Sequence, residues 1–155
     1  MKELPFHALK LAVPGAGLYR LECRGPLVSK SLQSSPSAFS LCESPGNRYA
    51  MNPDYVFFYV PKGTRQIQYL WEGYSHEIRT PSGAMVKVAE QKLADHVMLP
   101  IPDGEDGKVW SFRGRWDTRR FVNIPNYISP APDVLLIPRE LAEKDNLDII
   151  SDKTK

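Results

Sequence analysis

Apolar and polar residues alternate with a period of two along much of this chain, the pattern of strands that bury one face and wet the other. Over residues 65–71, Ile67, Tyr69 and Trp71 share one face while Gln66 and Gln68 share the other. Residues 96–101 alternate again through Val97, Leu99 and Ile101, and 108–112 return as a strand after a loop over 102–107. Near the start, Leu18, Arg20 and Glu22 alternate with Tyr19, Leu21 and Cys23, and 8–13 reads as a strand across the turn Pro14-Gly15-Ala16-Gly17. Residues 55–60 are apolar on both faces, as a strand in the middle of a sandwich would be. A short strand over 76–79 and a following one with Ala84, Val86 and Val88 inward, Met85 and Lys87 outward, form a hairpin. Its turn is Thr80-Pro81-Ser82-Gly83, where proline second and glycine fourth suit a type I turn.

Between these runs the chain offers almost no helical periodicity. Its 14 prolines and 10 glycines cut it into short elements. The expected fold is therefore all-β, a β-sandwich of one domain over 1–150 with a polar, disordered tail over 151–155. Residues 30–48 read as a long loop holding one short strand near 38–42. After residue 125 a Pro-rich extension follows, with 133–137 as a closing strand and Pro138 opening a helical turn or two through 145.

Composition excludes some functions. A formal charge of +2 is too small to imply a nucleic-acid or membrane partner, and no apolar run has the roughly 20 residues needed to cross a bilayer. The first residues lack the apolar core of a secretory signal. Cys23 and Cys42 do not make a disulfide framework, and whether they are bonded is open. There is no Gly-x-Ser-x-Gly elbow, His-Glu-x-x-His or phosphate-cradling loop, and His7, His76 and His96 have no ligand spacing. The expectation is a non-enzyme with no cofactor. Asp103, Glu105 and Asp106 carry the oxygens a calcium ion needs, but their spacing is not that of an EF-hand and Gly104 and Gly107 mark an exposed acidic turn. The turn is the plainer reading. Arg113, Arg115, Arg119 and Arg120, with Trp116 and Phe121, could hold a single strand of nucleic acid. With the rest of the chain not basic, a solvated charged hairpin fits better.

The run Tyr55-Val56-Phe57-Phe58-Tyr59-Val60-Pro61-Lys62-Gly63-Thr64, the turn Pro81-Ser82-Gly83 with Val86, and Pro100-Ile101-Pro102 through Gly107-Lys108-Val109-Trp110-Ser111-Phe112 carry a resemblance. They are similar to the galactose-binding-like jelly-roll domains appended to bacterial glycoside hydrolases and peptidases. These are turn and core positions, so they speak for fold more than for ligand. The resemblance implies an accessory module, often carbohydrate-binding, next to a neighbouring domain of a larger protein. It also implies an extracellular or periplasmic setting.

Sugars stack their C–H faces on aromatic rings while polar side chains bond their hydroxyls. The candidate ligand-binding residues are accordingly Trp71, Tyr74 and Trp116 for stacking, with Glu72, His76, Arg113 and Arg115 for polar contacts. Against this stands strand alternation, which puts Trp71 in the core beside Ile67 and Tyr69. A structural or protein-interaction domain with the same aromatics buried is the alternative. An anionic polysaccharide would use the arginines.

Overall fold

The computed structural model describes residues 12, 15, 41–42, 55–72, 76–89, 95–114, 118–129 and 131–148. The strands expected over 8–13 and 17–24, and the polar tail, lie outside the described residues. The chain divides into two compact units, Met1–Gln33 and Ser34–Lys155. In the first, Ala12 and Gly15 are described and both are exposed. Every element below belongs to the second.

The strands are β1 (Leu41–Cys42), β2 (Val56–Val60), β3 (Gln66–Glu72), β4 (His76–Arg79), β5 (Met85–Ala89), β6 (Asp95–Pro100), β7 (Lys108–Gly114), β8 (Thr118–Phe121) and β9 (Tyr127–Ile128). Among the described residues a turn of 3-10 helix over Pro132–Val134 and one short helix, α1 (Arg139–Lys144), follow them. All the pairings are antiparallel. One sheet has the order β2-β7-β4-β5, a second has β6-β3-β8, and β1 pairs with β9.

The chain crosses between the two larger sheets rather than completing either in sequence. β3 and β4 are consecutive yet lie in different sheets, as do β5 and β6, and β7 and β8. The inner faces of the two sheets carry one apolar set: Val56, Phe58 and Val60; Ile67, Tyr69 and Trp71; Ile78; Val97 and Leu99; Trp110 and Phe112; and Phe121. These faces meet through aromatic rings. Phe58 of β2 lies 4.6 Å from Phe121 of β8, and Trp71 of β3 lies 5.3 Å from Phe112 of β7. Such close, tilted pairs add specific geometry to a large burial of apolar area.

The β4–β5 hairpin turns as its residues require. Gly83 donates to the Thr80 carbonyl at 2.9 Å and Thr80 donates to Ala84 at 2.9 Å. Gly83 sits at φ +86°, the left-handed position at which a type I turn closes on a bulge.

Three expectations are corrected. β2 is not in the middle of its sheet but at its edge, beside β7. Its second apolar face has another cause: Tyr59 lines one seam with Leu141 and the residues leading into α1, and Phe57 exchanges backbone bonds with Ser129 at 2.9 and 3.0 Å. Residues 133–137 do not form a closing strand. Pro132–Val134 take a helical turn, and proline cannot donate to a ladder. The arginine-rich stretch is not a hairpin either, because it runs from β7 in one sheet to β8 in the other. The helix opened by Pro138 is present as α1, with Pro138 at its N-cap.

Candidate functional site

Strand register decides where each candidate side chain goes. Trp71 is 3% exposed, with its ring centroid 4.0 Å from that of His76 and 5.3 Å from that of Phe112. His76 is inward for the same reason as Ile78, two residues on in β4, and it is 2% exposed. Its imidazole stacks on Phe112 at 5.2 Å with an interplanar angle of 9°, and its Nε2 shares a 2.6 Å hydrogen bond with the Tyr69 hydroxyl. Trp71 and His76 are thus core residues. The rim drawn from the sequence does not contain their side chains, because the period-two alternation turns both toward the opposite sheet.

Glu72 and Arg113 are exposed, but on different sheets. Glu72 ends β3 opposite Thr118, while Arg113 lies in β7 between Tyr55 and Glu77. Tyr74, Arg115 and Trp116 lie outside the described residues. The backbone does bring the flanking strand ends together. His76 pairs with Gly114 and Glu72 with Thr118, so β3, β4, β7 and β8 all reach the same end of the two sheets.

What sequence reasoning missed is the company Arg113 keeps. On the outer face of the four-stranded sheet, Tyr55, Glu77, Arg79 and Arg113 form one cluster. The Arg113 guanidinium carbon lies 5.6 Å from the centroid of the Tyr55 ring and that of Arg79 lies 5.3 Å from it, both within cation–π range. Arg79 Nε donates to Glu77 Oε1 at 2.7 Å, and the same oxygen accepts the Tyr55 hydroxyl. One carboxylate therefore orients the ring and one guanidinium. No carboxylate among the described residues is paired with the other guanidinium, that of Arg113. A usable signal did exist in the parity of Tyr55 with Phe57, which turns it outward. The pairing of β7 with both β2 and β4 was not readable.

The acidic loop is engaged in joining turns. Asp106 Oδ2 accepts the Gly63 N–H at 2.7 Å, the Glu105 carbonyl accepts Trp110 Nε1–H at 2.7 Å, and Lys108 Nζ stands 3.6 Å from Glu105 Oε2. Among the described residues no group of three or more His, Cys, Asp or Glu is placed to hold a metal. No helix among them is long and apolar enough to cross a membrane.

Two buried phenols carry a pH signature. Burial pushes Tyr59 above the usual phenol range, reinforced by its 2.7 Å bond to Asp145, and burial does the same to Tyr69, helped by the charge of Asp95. Raised native values mean that the folded chain keeps protons the unfolded chain releases near pH ~10. Their contribution to stability is complete below that pH and is lost progressively as pH rises from there toward the raised native values. The melting temperature is expected to fall between about pH 10 and 11, and to fall less steeply in Tyr59→Phe. Thermal melts at stepped alkaline pH check this. A wild-type curve that stays flat across that interval would show that neither phenol is held protonated by the fold.

Comparison with known proteins returned no matching family, no curated relative and no matching solved structure.

Proposed function

We propose that this chain is a non-catalytic, carbohydrate-binding accessory module that targets or supports a larger protein, its strands arranged as a galactose-binding-like jelly roll. The observation that carries this reading is the cluster of Tyr55, Glu77, Arg79 and Arg113 on an open sheet face. It combines a ring with charged hydrogen-bonding groups at fixed spacing, which is what recognition of a polyhydroxylated ligand requires. Strands hold such groups more rigidly than loops do. Among the described residues a seam is lined by Tyr59, Pro125, Tyr127, Leu136, Ile137 and Leu141, an apolar setting with no paired acid and base. That favours surface recognition over catalysis in a pocket.

The test is electrophoresis of the full chain through native gels carrying neutral polysaccharides (galactan, xylan, a β-glucan) or acidic ones. Retardation on at least one, relieved by the same glycan in soluble form, is the expected result. Equal mobility in every gel would sink the reading.

One observation favours the structural or protein-interaction alternative. On the outer face of the three-stranded sheet, Leu70, Met98 and Val122 are 47%, 60% and 57% exposed. Met98 pairs with Gln68, two residues before Leu70 on β3, and Val122 donates its N–H to the Gln68 carbonyl. Grouped apolar exposure of this kind suits a neighbouring domain.

A further inference from the structure

Arg113 and Arg79 share one aromatic ring and one carboxylate. Two like charges brought to within 6 Å of the same centroid repel each other, and the single Glu77 carboxylate offsets only one of them. The second charge stays at the surface. Arg113 is exposed, and the Arg79 side chain is 38% exposed. Glu77 takes the Nε–H of Arg79, which leaves the terminal amines of that guanidinium for other acceptors. Tyr55 meets the Arg113 guanidinium with its ring, and no acceptor among the described residues takes the Arg113 donors.

We infer that this cluster is an anion subsite, and that the glycan it takes is acidic: one carrying the planar or tetrahedral oxyanion of a uronate carboxylate or a sulfate ester. The inference rests on the glycan-binding reading and names its ligand class. The guanidinium fork matches the two oxygens of such a group, as an ammonium cannot. Glu77 sets the selectivity. Its carboxylate positions Arg79 and Tyr55 and repels an anion that approaches from its own side, so the ligand oxyanion sits over Arg113 and the outer amines of Arg79. The neutral part of the sugar then faces the Tyr55 edge. A surface that only attracted polyanions would need neither the shared ring nor the orienting carboxylate.

The experiment measures Kd of the full chain, by calorimetry, for polygalacturonate and for dextran sulfate, with galactan as the neutral arm. Wild type is expected to bind an acidic polymer and not galactan. Polygalacturonate alone would assign a carboxylate, and dextran sulfate alone a sulfate ester. Arg113→Gln is expected to raise that Kd by about tenfold or more, the loss of one charge-assisted contact. Arg113→Lys, which keeps the charge and loses the fork, is expected to recover only a small part. Arg120→Gln removes the same charge from the exposed face of the other sheet and is the control, expected to change Kd less than about twofold. Thermal melts of all three variants establish that each is folded. Equal losses in Arg113→Gln and Arg120→Gln, or full rescue by lysine, would reduce the subsite to general charge attraction and overturn it. Binding to galactan untouched by Arg113→Gln would overturn the acidic assignment while keeping the glycan reading. No binding to any polymer would remove both.

Discussion

Replacing Trp71 by alanine is expected to lower the stability of the fold by about 3–5 kcal/mol. The ring is 3% exposed and packs against both His76 and Phe112, where the two sheets meet. Its removal opens a cavity in the aromatic layer that also holds Tyr69, and the buried Tyr69–His76 hydrogen bond loses the ring packed against it. Sheets paired through backbone ladders cannot collapse far to fill such a space, so most of the cavity cost should persist. Against a total of about 5–15 kcal/mol for a domain, this loss is large enough to unfold a fraction of the chain near physiological temperature. Trp71→Phe keeps a ring at the site and is expected to lose much less. Urea unfolding followed by far-ultraviolet circular dichroism measures both. The outcome separates two roles for one residue. A tryptophan that stacked on sugar at the surface would lose ligand affinity on truncation and leave the unfolding midpoint unchanged, and a loss below about 1 kcal/mol would point there.

Trp71 also shows how far the sequence could be read. Alternation along 65–71 assigned its face correctly, because burial of one side of a strand writes itself into the chain with a period of two. The same rule located β3, β5 and β6 to within a residue or two, an unbroken apolar run located β2, and the proline and glycine of Thr80–Gly83 fixed the hairpin turn. What alternation does not encode is which strand lies beside which. Arg113 meets Tyr55 and Glu77 only because β7 is flanked by β2 and β4, a pairing between residues far apart in sequence. The cluster on the outer face was therefore illegible, although each of its members was in view. β8 was hidden for a different reason. Thr118-Arg119-Arg120-Phe121 is too short and too charged to display a period, and it becomes a strand through its register with β3. The double-sided apolarity of β2 misled because it has two causes that look alike in sequence. A central strand is covered by a second sheet, whereas this edge strand is covered by the C-terminal segment.

That cover depends on one carboxylate, and Asp145→Ala is expected to cost about 3 kcal/mol. Asp145 follows α1, is 1% exposed, and accepts the Tyr59 hydroxyl at 2.7 Å and the Lys62 N–H at 2.9 Å through the same oxygen. Its own carbonyl accepts Lys62 Nζ, which reaches it by passing over Gly107, where a Cβ would stand 2.5 Å from the lysine Cγ. Alanine would leave the phenol of Tyr59 buried without its acceptor and strip the Lys62 amide of its partner. Each orphaned donor costs about 1–3 kcal/mol, more than the net value of the bond when both partners are present. Asp145→Asn retains one acceptor oxygen of the same shape and is expected to lose about half as much. Tyr59→Phe removes a donor without orphaning a buried one, and in combination with Asp145→Ala the losses should add to less than their sum, by about 1 kcal/mol. Because the latch holds 131–148 against the edge strand β2, its loss should also show locally. Trypsin cleavage at Arg139 and Lys144 is expected to quicken before the global unfolding transition, since opening of a weakened segment needs only part of the total stability. If Asp145→Ala melted with wild type and resisted trypsin equally, the C-terminal segment would be held by its apolar seam alone, and Leu141→Ala, which removes a lining residue of that seam, would be the change that frees it.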